Sequence, residues 1–204
     1  GVPPANVRVI PPGIDVPGRS VATPGGPAHL LYAGSIFNRR HVPLLIEAFT
    51  RMAARHADAQ LHLVGDDRSF PAEDLPGRIA ASRASDRIHW HRYVPEATLQ
   101  ELYRQARGFA FLSEYEGLGL TPLEALGAGI PSVLLDTPVA RESCGDAALY
   151  VPLGSADDVA TALQRLLYDE PTRQALLAHA PANLARYVWP QAAAATMAAL
   201  EDAR

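Results

Sequence analysis

Lysine is absent from this 204-residue chain, so its 18 basic residues are all arginines. No side-chain amine can hold pyridoxal phosphate as a Schiff base. Cysteine is nearly absent too. A lone Cys144 excludes an internal disulfide framework and a multi-cysteine zinc site, suits a reducing cytoplasm, and reads as a buried or incidental thiol. Long apolar runs are missing: none approaches the roughly 18 residues that mark a membrane span, and no signal peptide opens the chain. Large net charge is missing as well. A formal charge of −4 gives no global field to attract nucleic acid or an anionic membrane, so any phosphate site must be local. Internal repeats are not seen, and the alanines near the C-terminus are the only biased tract.

What remains is ordinary globular composition, 48% hydrophobic and 20% charged, in a chain long enough to bury a full α/β core. Val7 to Asp15 reads as a short strand broken by prolines, and residues 16–28, rich in Pro and Gly, as a loop. Strands are expected at 29–34, 59–65, 87–91, 109–112, 132–135 and 149–151. Helices are expected at about 42–56, 75–85, after Pro95, after Thr121, after Ser155 and after Pro171, the last of these split by Pro181, with a final one from Trp189-Pro190. Apolar stripes support them: Leu45, Phe49 and Met52; Leu99, Leu102, Tyr103 and Ala106; Val159, Leu163, Leu166 and Leu167. About six or seven strands alternating with helices call for a Rossmann-like, three-layer α/β/α domain with a mostly parallel sheet.

The densest chemistry lies at residues 113–131. Gly117 and Gly119 form a tight turn between a buried strand and a helix opened by Thr121-Pro122, with Pro at the first helical position. That order leaves free backbone N–H groups at the positive end of a helix dipole, where an anion can approach. Glu116 and Glu124 bracket the turn with seven residues between them. Glu116 stands where open α/β sheets bind ligands, whereas Glu124 has a second reading as the return half of a capping box with Thr121. Gly65 ends another strand on the same side of the sheet. The adjacent Asp66 and Asp67 point apart and read as loop or cap residues rather than a metal pair. His89 and His91 share a strand face, and no further ligands accompany them.

The run Glu116 to Pro131 resembles the Glu-x7-Glu signature of the retaining, nucleotide-sugar-dependent glycosyltransferases of family four (group 1), which have the GT-B architecture of two Rossmann-like domains. The resemblance implies that Glu116 meets the donor sugar, that Glu124 holds the ribose hydroxyls, and that backbone N–H groups around Leu118, Gly119 and Leu120 receive the diphosphate, with Gly117 and Thr121 also in the nucleotide-sugar site. In the family, the loop after the first strand carries an Arg directly after a glycine and a Lys five residues later. Here the glycine is Gly34, Ser35 replaces the arginine, and Arg40 stands at the lysine position with Arg39 beside it. Tyr93 and Val94 fall in the loop that lies near the nucleotide base.

The implied organisation is a lead-in strand and loop at 1–28, a nucleotide-sugar-binding domain at 29–188 and a C-terminal crossover helix at 189–204. The implied function is the donor-binding half of a hexosyl transferase in glycan, polysaccharide or glycolipid synthesis, with Glu116 and Arg40 as catalytic residues. No metal and no cofactor beyond the donor substrate are expected. The partner is an N-terminal acceptor-binding domain, and the location cytoplasmic, with that domain as the route to the inner membrane. A binding module without transfer activity and an epimerase of the same architecture are the alternatives. A sugar phosphorylase of this architecture would carry a pyridoxal-phosphate lysine, so the missing lysine excludes it.

Overall fold

The computed structural model describes residue 3 and residues 6–17, 19–21 and 27–202. Six strands form one sheet: β1 (His29–Ala33), β2 (Gln60–Val64), β3 (Ile88–His91), β4 (Ala106–Phe111), β5 (Ser132–Leu135) and β6 (Ala148–Val151). Every pairing is parallel and the order is β3-β2-β1-β4-β5-β6. Parallel sheets carry helices on both faces, so their central strands are apolar throughout rather than alternating. Burial follows this pattern: β4 and β5 are buried along their whole length, Arg107 and Ser132 included, while the edge strands β3 and β6 are buried only in part. The result is a three-layer α/β/α domain.

Nine helices are found among the described residues: α1 (Val42–Ala53), α2 (Leu75–Ala81), α3 (Glu96–Gln105), α4 (Leu120–Gly127), α5 (Pro138–Cys144), α6 (Ala156–Tyr168), α7 (Glu170–Ala178), α8 (Ala180–Leu184) and α9 (Trp189–Glu201). Helices α1 and α6 pack against each other. Gly108 on β4 lets α6 approach, since a Cβ there would come within 2.6 Å of Leu166. Pro181 splits the sixth expected helix into α7 and α8, because the ring offers no N–H and fits only a first turn.

Several expectations need correction. Residues 7–15 form no strand; Pro11 and Pro12 have no N–H to give a ladder, and the segment runs as irregular chain. Part of the loop expected at 16–28, residues 18 and 22–26, lies outside the described residues. Helix α3 stops at Gln105 and β4 begins at once with Ala106, so Ala106 belongs to the strand and not to the helical stripe. Helix α2 ends at Ala81, short of the expected 85. Finally, α4 starts at Leu120 with Gly119 as its N-cap at φ 83°, which puts Pro122 past the first helical position. No side chain caps α4, so the Thr121–Glu124 capping box is not formed.

Candidate functional site

Strand order reverses between β1 and β4. The chain leaves β1 toward β2 on one side and leaves β4 toward β5 on the other, which opens a crevice at the carboxyl ends of the two central strands. Two loops line it: residues 34–41 after β1, and residues 112–119 after β4.

Gly34 and Gly65 let the loops after β1 and β2 come close. A Cβ on Gly65, whose φ is 152°, would sit 2.0 Å from the Gly34 carbonyl oxygen, so the backbones of the β1 and β2 loops meet only because Gly65 has no side chain. The following turn, Asn38–Arg40, aims two arginines toward the β4 loop. Arg40 is the more enclosed, with its side chain 13% exposed against 39% for Arg39. Its Nε donates to Glu116 Oε1 at 2.8 Å, its Nη2 lies 2.8 Å from the same oxygen, and its Nη1 donates to the Ser35 carbonyl at 2.8 Å. The Phe111 ring lies under the guanidinium at 4.8 Å. Ser113 Oγ also donates to Glu116 Oε1, at 2.9 Å. Glu116 itself lies in the loop five residues beyond β4 rather than at the strand end. Arg39 donates to the Tyr115 carbonyl at 3.1 Å and stays 4.0 Å from Glu116.

Two adjoining clefts divide the expected site residues. A cleft of about 460 Å³ is lined by Arg40, Glu116 and the continuous stretch Gly117, Leu118, Gly119, Leu120 and Thr121. Its floor includes the N-terminus of α4, where the first N–H groups have no intrahelical acceptor and the helix dipole is positive. A larger cleft of about 560 Å³ is lined by Gly34, Ser35, Gly65, Tyr93, Val94, Thr121 and Glu124. Thr121 belongs to both. Arg39 lines neither.

The larger cleft is rich in carboxylates. Burial pushes the Glu124 carboxyl up from the usual range, and Asp15 and Glu96 reinforce the shift by repulsion. Asp15 is held by the indole of Trp189, which donates to it at 3.0 Å. Asp15, Glu96 and Gln100 escaped the sequence reading as lining residues. Glu96 did carry a signal, because it opens α3 directly after the Val94-Pro95 loop; Asp15 carried none, since nothing local ties it to residue 124.

Elsewhere, Asp67 behaves as expected of a loop residue, accepting from Ser69 N at 2.9 Å and from Ser69 Oγ at 2.7 Å. His89 and His91 stand on the sheet beside His62, whose ring stacks between those of His29 and His89. Among the described residues no group of three or more His, Cys, Asp or Glu is arranged to hold a metal ion. Cys144 is buried, and burial raises its thiol to about 11. Among the described residues no helix is long and apolar enough to cross a membrane.

Fold and site together define a doubly wound α/β domain with two adjoining clefts at its switch point. The profile of the family described as glycosyl transferases group 1 matches residues 19–182, and the chain belongs to that family of enzymes. It is 26% identical over 161 residues to the O-antigen chain mannosyltransferase B of Escherichia coli, which covers 79% of this chain and 42% of that protein. Identity is 32% over 143 residues to the GDP-mannose:cellobiosyl-diphosphopolyprenol alpha-mannosyltransferase of Xanthomonas oryzae pv. oryzae, covering 67% and 36% respectively. The chain spans about half or less of the length of the curated relatives it matches. Its fold is that of the pneumococcal O-GlcNAc transferase GtfA, solved with UDP and GlcNAc, at a TM-score of 0.77 and 22% identity over 93% of this chain and 38% of that one.

Proposed function

We propose that this chain is the donor-binding half of a retaining glycosyltransferase, which moves a hexosyl group from a nucleotide diphosphate sugar to an acceptor in glycan, polysaccharide or glycolipid synthesis. The observation that carries the reading is the pair of clefts joined at Thr121: one has a guanidinium and a helix N-terminus, the other a half-buried carboxylate beside an aromatic wall. A diphosphate fits the first. Arg40 offers a planar, permanently charged fork and α4 offers backbone N–H groups, which together stabilise the charge that develops on the leaving diphosphate. Glu124 accepts from the ribose hydroxyls, and the base lies against Tyr93 and Val94.

Arg40 is already engaged, and that engagement makes a switch. Incoming phosphate oxygens compete with Glu116 for the guanidinium, and the exchange frees the Glu116 carboxylate to accept from hydroxyls of the donor sugar. Glu116 therefore acts as an orienting group at the sugar, and no nucleophilic role is assigned to it. Ser35 contributes its carbonyl to Arg40 where the family places an arginine side chain. Arg39 is the substitute charge. The acceptor and the wall that excludes water come from an N-terminal domain, which also gives this cytoplasmic enzyme its access to the inner membrane. Hexosyl donors of mannose type agree with the names of the relatives.

Thermal unfolding of the chain with UDP, GDP, ADP and dTDP tests the reading. The cognate diphosphate at ~100 times its dissociation constant adds roughly 2.7 kcal/mol of stability. A melting curve unmoved by all four would contradict it.

A further inference from the structure

His41 is the only non-glycine residue with a positive φ among the described residues, at φ 45° and ψ 41°. It follows Arg40 directly, closing the Asn38–Arg40 turn with its N–H on the Asn38 carbonyl at 3.1 Å and opening α1 as the N-cap. A side chain in left-handed backbone costs of order 1–2 kcal/mol, which glycine would not incur. Strain of this kind persists where the surroundings hold it and serves a purpose there. Capping α1 is not that purpose, since no side chain caps the helix.

The imidazole points elsewhere. His41 Nε2 pairs with the Glu114 carboxylate in the loop after β4. In the same place the Glu114 N–H donates to the Arg39 carbonyl at 2.9 Å. The residues on either side of Arg40 are thus both tied to residue 114, two positions before Glu116. A side-chain tie and a backbone tie run parallel to the Arg40–Glu116 contact and cross the same gap between the two loops.

We infer that His41 is a positioning residue for donor binding: its cross-link to Glu114 fixes the β1 loop against the β4 loop and so holds the Arg40 guanidinium where the diphosphate arrives. The inference rests on the donor-binding reading above. It predicts a side chain kept at a strained position for the sake of the site, so relieving the strain harms the site while sparing the fold.

The test uses His41→Gly, Glu114→Ala and the double variant in this chain, each titrated with a nucleoside diphosphate and with the plain nucleoside, and melted without ligand. His41→Gly melts at or above the wild-type temperature, because glycine is at ease in left-handed backbone. It nevertheless loses roughly five- to tenfold in diphosphate affinity and under about twofold in nucleoside affinity, and the double variant loses no more than either single one because both remove the same cross-link. A merely structural role would lower both affinities together, or neither. If the wild type prefers the diphosphate and both single variants keep that preference in full, the positioning role is wrong and the donor reading stands. If the wild type has no such preference, the donor reading falls and takes the inference with it.

Discussion

Strand β4 has an arginine cluster near each end, and the two differ in what they leave open. At its start, buried Arg107 donates through Nε to the Leu167 carbonyl at 2.6 Å and reaches Glu170 at 3.1 Å, while Arg173 donates to the carbonyls of Arg107 and Leu166. Leu166 and Leu167 lie in the last turn of α6, whose carbonyls have no intrahelical donor and whose dipole is negative. Both guanidiniums are turned inward onto the protein's own carbonyls and Glu170, although Arg173 Nε, 3.4 Å from that carboxylate, makes no hydrogen bond. Beyond the other end, Arg40 meets Glu116 and one carbonyl but also borders a cleft floored by a helix N-terminus. Parallel topology makes the difference: helix C-termini gather at the amino ends of the strands and attract protein cations, while helix N-termini gather at the carboxyl ends and attract a foreign anion.

That contrast is broken most visibly at the structural end. Arg107→Ala strands the Leu167 carbonyl and leaves Arg173 beside an unfilled space, so chemical denaturation should find a loss of roughly 2–4 kcal/mol. Nucleotide affinity of the molecules that remain folded should be unchanged. The opposite split is expected for Arg40→Ala: a loss of roughly 1.5–3 kcal/mol in nucleoside diphosphate binding by calorimetry, almost none for the plain nucleoside, and a small change in stability. Equal losses for both ligands would move Arg40 into the structural class.

Smaller effects sharpen the comparison within the site. Burial, together with the neighbouring Asp15 and Glu96, raises the Glu124 pKa, so the folded domain disfavours its charged form. Glu124→Gln should therefore leave the unliganded domain at least as stable as the wild type while weakening nucleotide binding by roughly 1 kcal/mol through the altered ribose hydrogen bonds. A variant that binds nucleotide like the wild type would leave Glu124 without a ribose role. Histidines supply the weakest test. Burial lowers His62 to about 4 and also depresses His29 and His91, with the neighbouring histidines adding to each shift. The unfolded chain takes up protons below about 6.5 while folded His62 resists down to about 4, so the stability this residue contributes is full above that window and falls as pH drops through it. His62→Leu should flatten the slope of melting temperature against pH; an unaltered slope would show that the stack titrates freely.

Much of this was legible in the residues themselves. Apolar strands, helices between most of them and the Glu116–Pro131 run were enough for the sheet and for much of the cleft lining, because those features are local in sequence. The start of α4 was misread for a physical reason: Thr-Pro is a common opening for a helix, but Gly119 in left-handed backbone served as the cap and drew the first turn two residues earlier. Nonlocal partners were out of reach. Arg107 with Glu170, Asp15 beside Glu124, and the His41–Glu114 pair each join residues 63 or more positions apart, and no periodicity announces them.

The most direct measurement follows the arginine Nε–H resonances of the nitrogen-15-labelled chain by NMR as a nucleoside diphosphate is added. The account predicts that the Arg40 signal shifts in step with saturation, as the guanidinium exchanges Glu116 for phosphate, while Arg107 and Arg173 stay fixed. Saturable binding that leaves Arg40 where it was, or that moves the Arg107 and Arg173 signals instead, would contradict it.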